Sequence, residues 1–154
     1  MMSTAAPQFN HVAMSVPAED LDAASRSDLL AFYSDVFGWT EMPMMSRDGE
    51  LLVMRVHRND QFVFLQAAEE PMRCPNGDHV GIAVGSVEEL ESTIARAREA
   101  SKRHADVEIR AEKTQDFGVL KLHACYIRYR LPLTFEVQCF DWAPGFDAGS
   151  LPES

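Results

Sequence analysis

"HVGIAV", residues 79–84, decides how this chain is read. Val80, Ile82 and Val84 alternate with His79, Gly81 and Ala83, the period-two pattern of a strand with one apolar face. The stretch is anticipated by "HVAMSV" at 11–16, where Val12, Met14 and Val16 alternate in the same way and His11 holds the place of His79. A lone strand histidine is usually solvated. Two histidines opening two similar strands, one in each half of the chain, suggest a module used twice.

The segments on either side repeat as well. After 11–16 comes the polar connection "PAEDLDAASRS", then "DLLAFYSDVFGW", in which Leu29, Phe32, Tyr33 and Val36 recur at helical spacing. Ser27 is placed to cap a helix over 28–37, and Gly38 to end it in the left-handed conformation. "ELLVMRVHR" and "QFVFLQA" read as strands joined through Asn59-Asp60. The stretch "AEEPMRCPNGD", with two prolines and Asn-Gly, is the most linker-like.

Beyond it the order restarts. "HVGIAV" is followed by a helix over 86–100 with the capping sequence Ser86-Val87-Glu88-Glu89 and the stripe Val87, Leu90, Ile94 and Ala97. "DVEIRAEK", "GVLKLHACYIRYR" and "LTFEVQCF" then read as strands. The expected division is a first module over 8–68, a linker over 69–77, a second module over 78–141 and an irregular tail over 142–154.

Bulk composition narrows the field. The chain has 154 residues, 46% of them hydrophobic, enough for one globular domain or two fused small modules. A net charge of −10 without a basic cluster argues against a nucleic-acid partner. Three cysteines, Cys74, Cys125 and Cys139, lack CxxC spacing and suggest reduced thiols in a cytoplasmic setting. "MMSTAAPQF" has no apolar export segment, and no run approaches the roughly 20 apolar residues of a membrane span.

Strand periodicity sorts the polar residues. In "LTFEVQCF", Leu133, Phe135, Val137 and Cys139 form an apolar face and Thr134, Glu136 and Gln138 the other. With helices covering the apolar faces, His11, His79 and Glu136 point to the opposite side, as do Phe62, Phe64 and Gln66 of "QFVFLQ". A hairpin centred on Leu131-Pro132 would add His123 to that side as an acid–base residue. Phe62 and Phe64 are then candidates for an apolar substrate-binding wall. His11 to Gln66 spans 55 residues (66 − 11) and His79 to Glu136 spans 57 (136 − 79), so each half offers one histidine and one oxygen ligand. Imidazoles with a carboxylate suit a divalent metal ion such as Fe, Mn, Ni, Co or Zn.

This order of residues resembles the vicinal oxygen chelate superfamily, which includes glyoxalase I, methylmalonyl-CoA epimerase, extradiol dioxygenases and bleomycin-resistance proteins. "HVAMSV…AFYSDVFGW" is similar to the opening of a module in that group. "YIRYRLPLTFEV", residues 126–137, lines up with its closing pattern at Tyr126, Arg128 and Glu136. The Asp-Pro-Asp-Gly turn usual there is replaced by Tyr129-Arg130-Leu131-Pro132.

The resemblance implies an α+β fold of two βαβββ modules forming a curved mixed sheet around a cleft. It also implies a homodimer, metal ligands at His11, Gln66, His79 and Glu136, and a small oxygenated substrate chelated by the metal. A set of His, Gln, His and Glu looks like the epimerases, and His, His and Glu alone like the dioxygenases. The alternative is a metal-free small-molecule binding protein of the same fold, like those that sequester antibiotics.

Overall fold

The computed structural model describes residues 5–150. They form two compact units, one ending at Met72 and the next beginning at Arg73. Each unit is a strand, a helix and three further strands.

In the first unit, β1 (His11–Val16) leads through a short 3₁₀ turn (Ala18–Leu21) into α1 (Ala23–Phe37), then β2 (Thr40–Glu41), β3 (Leu51–Arg55) and β4 (Phe62–Ala67). In the second, β5 (His79–Val84) is followed by α2 (Val87–Ala100), β6 (Val107–Asp116), β7 (Leu120–Tyr129) and β8 (Thr134–Trp142). The sheet orders are β1-β4-β3-β2 and β5-β8-β7-β6. The first and last strands of each module lie parallel, and the other pairs are antiparallel. The chain is thus an α+β protein with two mixed four-stranded sheets.

The helices form where periodicity placed them, with one shift. Leu29, Phe32, Tyr33 and Val36 of α1 are fully buried. The helix starts earlier than Ser27 suggested, because Asp22 caps it: its side chain accepts the Ser25 backbone N–H at 2.9 Å. Gly38 ends α1 at φ 72°, where its N–H reaches Ser34 O at 2.9 Å, the left-handed stop that glycine adopts without a Cβ clash. Just beyond it, Trp39 is buried and stacks on Tyr33 with ring centroids 5.2 Å apart.

Ser86 caps α2 by accepting the Glu89 N–H at 3.1 Å, and the Glu89 carboxylate accepts the Gly85 N–H at 2.7 Å. These bonds satisfy donors that the first helical turn leaves free. Helix α2 lies against all four strands of its sheet. It buries Leu90, Thr93, Ile94, Ala97 and Ala100, and the sheet meets it with Phe135, Val137, Cys139, Cys125 and Ile127, none more than 2% exposed. All three cysteines are free thiols. None of the described helices is long and apolar enough to cross a membrane.

Candidate functional site

The face of the second sheet turned away from α2 carries a row of polar side chains. Parallel register pairs His79 with Thr134 and Gly81 with Glu136, and antiparallel register continues the second row from Glu136 to Tyr126 to Arg110. Paired residues point to the same side of a sheet. His79, Thr134, Glu136, Tyr126 and Arg110 therefore share one face across four strands, and Gly81 places no side chain beside the carboxylate.

Glu136 is 9% exposed, so its carboxylate needs partners. Tyr126 donates its hydroxyl proton to Oε1 at 2.8 Å. His79 Nε2 lies 3.0 Å from Oε2. The other imidazole nitrogen is also engaged: Nδ1 is 2.9 Å from the Gly77 carbonyl, which only accepts, so Nδ1 carries the proton. In a neutral ring Nε2 is then a lone pair aimed at a carboxylate oxygen. Two acceptors at that distance are reconciled by a proton or a cation between them. An imidazole nitrogen and a carboxylate oxygen are both ligand types that a divalent metal takes.

The surroundings fix this pair. The Tyr126 ring meets His79 edge-on, with centroids 5.5 Å apart. Its bond to the Glu136 carboxylate, aided by burial, pushes the Tyr126 phenol above the usual tyrosine range and keeps it protonated. The Arg110 guanidinium sits over the Tyr126 ring, 5.5 Å from its centroid, and donates to Thr134 Oγ1 at 3.1 Å. Arg128 is tied to both carboxylate oxygens of Glu108, each at 2.9 Å.

The first sheet arranges its candidates differently. His11 is paired in register with Phe62, Ala13 with Phe64 and Ser15 with Gln66. The position that corresponds to Glu136 is thus Phe64. Gln66 is exposed and lies four positions along β4 from the partner of His11 (66 − 62), about 13 Å at the strand rise. The expected partnership of His11 with Gln66 does not form: similar sequence separations, 55 and 57 residues, conceal different registers. His11 stacks on Phe62 with centroids 4.9 Å apart and 11° between planes. Its Nδ1 meets Asn10 Oδ1 at 2.7 Å, so, as in His79, Nδ1 carries the proton of the neutral ring. Phe62 and Phe64 are half-buried on the same face as His11. Within each unit, no three His, Cys, Asp or Glu side chains gather around one point among the described residues.

His123 is corrected as well. The β7–β8 pairs are His123 with Cys139 and Tyr126 with Glu136, so the hairpin is centred on Leu131, not between Leu131 and Pro132. That half-step exchanges the faces of β7. His123 falls on the α2 side with Cys125 and Cys139, while Ala124 and Tyr126 share the face of Glu136. Its Nδ1 is 3.0 Å from Thr114 Oγ1 and its Nε2 is 3.6 Å from Asp141 Oδ2. The one-residue loop centre has a backbone counterpart in Arg130, a non-glycine residue at φ 58°. Periodicity places Thr134 on this polar face without giving it a role, and it does not single out Arg110. The sequence carries no signal for Arg110, because its register depends on a bulge in β6 between Arg110 and Lys113.

No family model and no curated protein matches the sequence. Solved structures match it in fold. The fosfomycin resistance protein FosX from Listeria monocytogenes superposes with a TM-score of 0.61 at 14% identity, covering 86% of this chain and 91% of its own. A glyoxalase/bleomycin resistance protein/dioxygenase from Nocardioides gives 0.57 at 15% identity, covering 97% and 93%. FosX from Mesorhizobium loti gives 0.59 at 11%, covering 88% and 93%. The architecture of two βαβββ modules is therefore the glyoxalase-like fold.

Proposed function

We propose that the chain is a metal-dependent enzyme acting on a small oxygenated substrate, with His79 and Glu136 as metal ligands. The observation that carries this reading is the 3.0 Å approach of His79 Nε2 to Glu136 Oε2, between two groups that are each anchored at their far ends. Anchoring by a carbonyl and by a hydroxyl is what ligands need for fixed tautomer and orientation.

A bound divalent ion would supply Lewis-acid stabilisation of negative charge developing on a chelated substrate oxygen. The chain's own part is to orient and to hold protons. Gly77 keeps the Nδ1 proton on His79, so that Nε2 stays a donor of its electron pair. Tyr126 keeps its hydroxyl proton on Glu136 Oε1, which fixes the carboxylate with Oε2 turned toward His79. The resemblance gives His11 the same duty from β1.

The test is uptake of Mn²⁺ or Zn²⁺ by tag-free protein, followed by titration calorimetry. Binding near one equivalent is expected, with loss in His79→Ala, about a 100-fold weaker constant in Glu136→Gln and a smaller loss in His11→Ala. A wild-type protein that takes up neither ion sinks this reading. The metal-free binding protein then takes its place; the aromatic pair Phe62 and Phe64, with Phe64 in the slot that corresponds to Glu136, is the observation that favours it.

A further inference from the structure

Two arginines project onto the His79–Glu136 face, and they are treated differently. Arg128 is neutralised by the Glu108 carboxylate, which it meets with two bonds of 2.9 Å. Arg110 is half-buried and pairs with no carboxylate among the described residues. The nearby acids are taken: Glu108 by Arg128, Glu112 by Arg98, and Glu136 by Tyr126 and His79. A guanidinium presents five N–H donors in a fixed fork, and Thr134 Oγ1 accepts from one terminal nitrogen.

The position of that fork is set. Arg110 stands on β6, the edge strand, and its side chain reaches across β7 to Thr134 on β8. Thr134 is buried and is the register partner of His79. The Tyr126 ring lies beneath the guanidinium and also holds Glu136. A positive charge without a counter-ion is thus stacked on one side, hydrogen-bonded at one end, and located in the rows that carry His79 and Glu136. Removing a charge from water without a partner is costly, and a ligand that brings the partner recovers that cost.

We propose that Arg110 is the oxyanion-binding residue of this site, and that its ligand carries a carboxylate or phosphate-type group in addition to the oxygens that chelate at His79 and Glu136. The inference rests on the reading of His79 and Glu136 as the ligand centre and adds the chemical class of what binds there. The Tyr126 ring separates the two contacts, so the anionic group and the chelating oxygens belong to different ends of a small molecule. Arg110 selects such molecules by charge, and Thr134 keeps the fork turned toward them.

The experiment is an NMR titration of full-length, metal-free, uniformly ¹⁵N-labelled protein that reads arginine side-chain and backbone amide signals, using inorganic phosphate in one arm and acetate in the other at constant ionic strength. Saturable shifts of the Arg110 guanidinium and the Thr134 amide are expected, with Arg128 unmoved. Arg110→Met should weaken phosphate binding about ten-fold and Arg110→Lys about three-fold, because lysine keeps the charge and loses the fork. Tighter binding of phosphate than of acetate assigns a tetrahedral group, and the reverse a carboxylate. Equal drift of all arginines, or a Thr134 shift that persists in Arg110→Met, overturns the proposal. Metal uptake is measured separately, so loss of the metal reading and loss of the oxyanion reading give different results.

Discussion

Strands β1 and β4 of the first unit and β5 and β8 of the second have one backbone plan and opposite chemistry. Both pairs are parallel, both begin with histidine, and both are registered six residues deep. In the second unit the slots facing the histidine strand hold Thr134 and Glu136; in the first they hold Phe62 and Phe64. His79 therefore meets a carboxylate, and His11 meets an aromatic ring. The fold fixes where a side chain can stand, and two substitutions decide whether that place binds charge or apolar surface.

The comparison extends to the helix-covered faces, where the largest effect is expected. Phe135 and Val63 occupy corresponding slots, paired with Val80 and Val12, and neither is more than 1% exposed. Phe135→Ala should cost about 3–5 kcal/mol, since a ring-sized cavity adds to the lost burial. Val63→Ala should cost about 1.5–3 kcal/mol. Urea denaturation monitored by circular dichroism measures both, and equal losses would break the equivalence of the two cores.

Next in size is a gain. Phe64→Glu gives the first sheet the carboxylate it lacks, in the slot that Glu136 fills in the second. Zn²⁺ affinity measured in a His79→Ala background, where the native pair is disabled, should rise about ten-fold over that background alone. Unchanged affinity would mean that register alone does not make the site and that an anchor like Tyr126 is required.

The smallest effect is one of pH, and it belongs to the second unit, which holds all three thiols. Burial, with the Glu112 carboxylate adding to it, pushes the Cys125 thiol up from 9.0 to about 11. The folded chain thus keeps this proton longer than the unfolded chain does. The resulting stability is whole below pH 9 and declines as pH rises toward about 11. Urea midpoints taken at intervals from pH 8 upward should fall more steeply in the wild type than in Cys125→Ala.

Much of the architecture was legible because alternation and helical spacing are local. Gly38, Ser86 and the two-faced pattern of "LTFEVQCF" each follow from neighbours within a few residues. What failed depended on register, which is a relation between strands. His123 was misplaced by half a residue in the assumed centre of one hairpin. Gln66 was matched to Glu136 by counting residues along the chain, although the hairpin loops that consume those residues differ between the halves. Asp22, the actual cap of α1, escapes the sequence reading because the first turn of the helix is polar and resembles a loop. Of the site, the His79–Glu136 face was readable; the two hydrogen bonds that orient the pair, from Tyr126 and to Gly77, were not.

Each unit also holds one of the chain's two tryptophans. Trp39 is enclosed just past α1, against Tyr33 and Phe37, whereas Trp142 stands half-buried at the end of β8, beside Phe140. An indole in an apolar stack emits at shorter wavelength than one that touches water. The protein thus carries its own two-colour optical label, and replacing either indole with phenylalanine leaves a fluorophore that reports on one half alone. Unfolding of the aromatic half and of the charged half can be followed in a single cuvette without adding a dye.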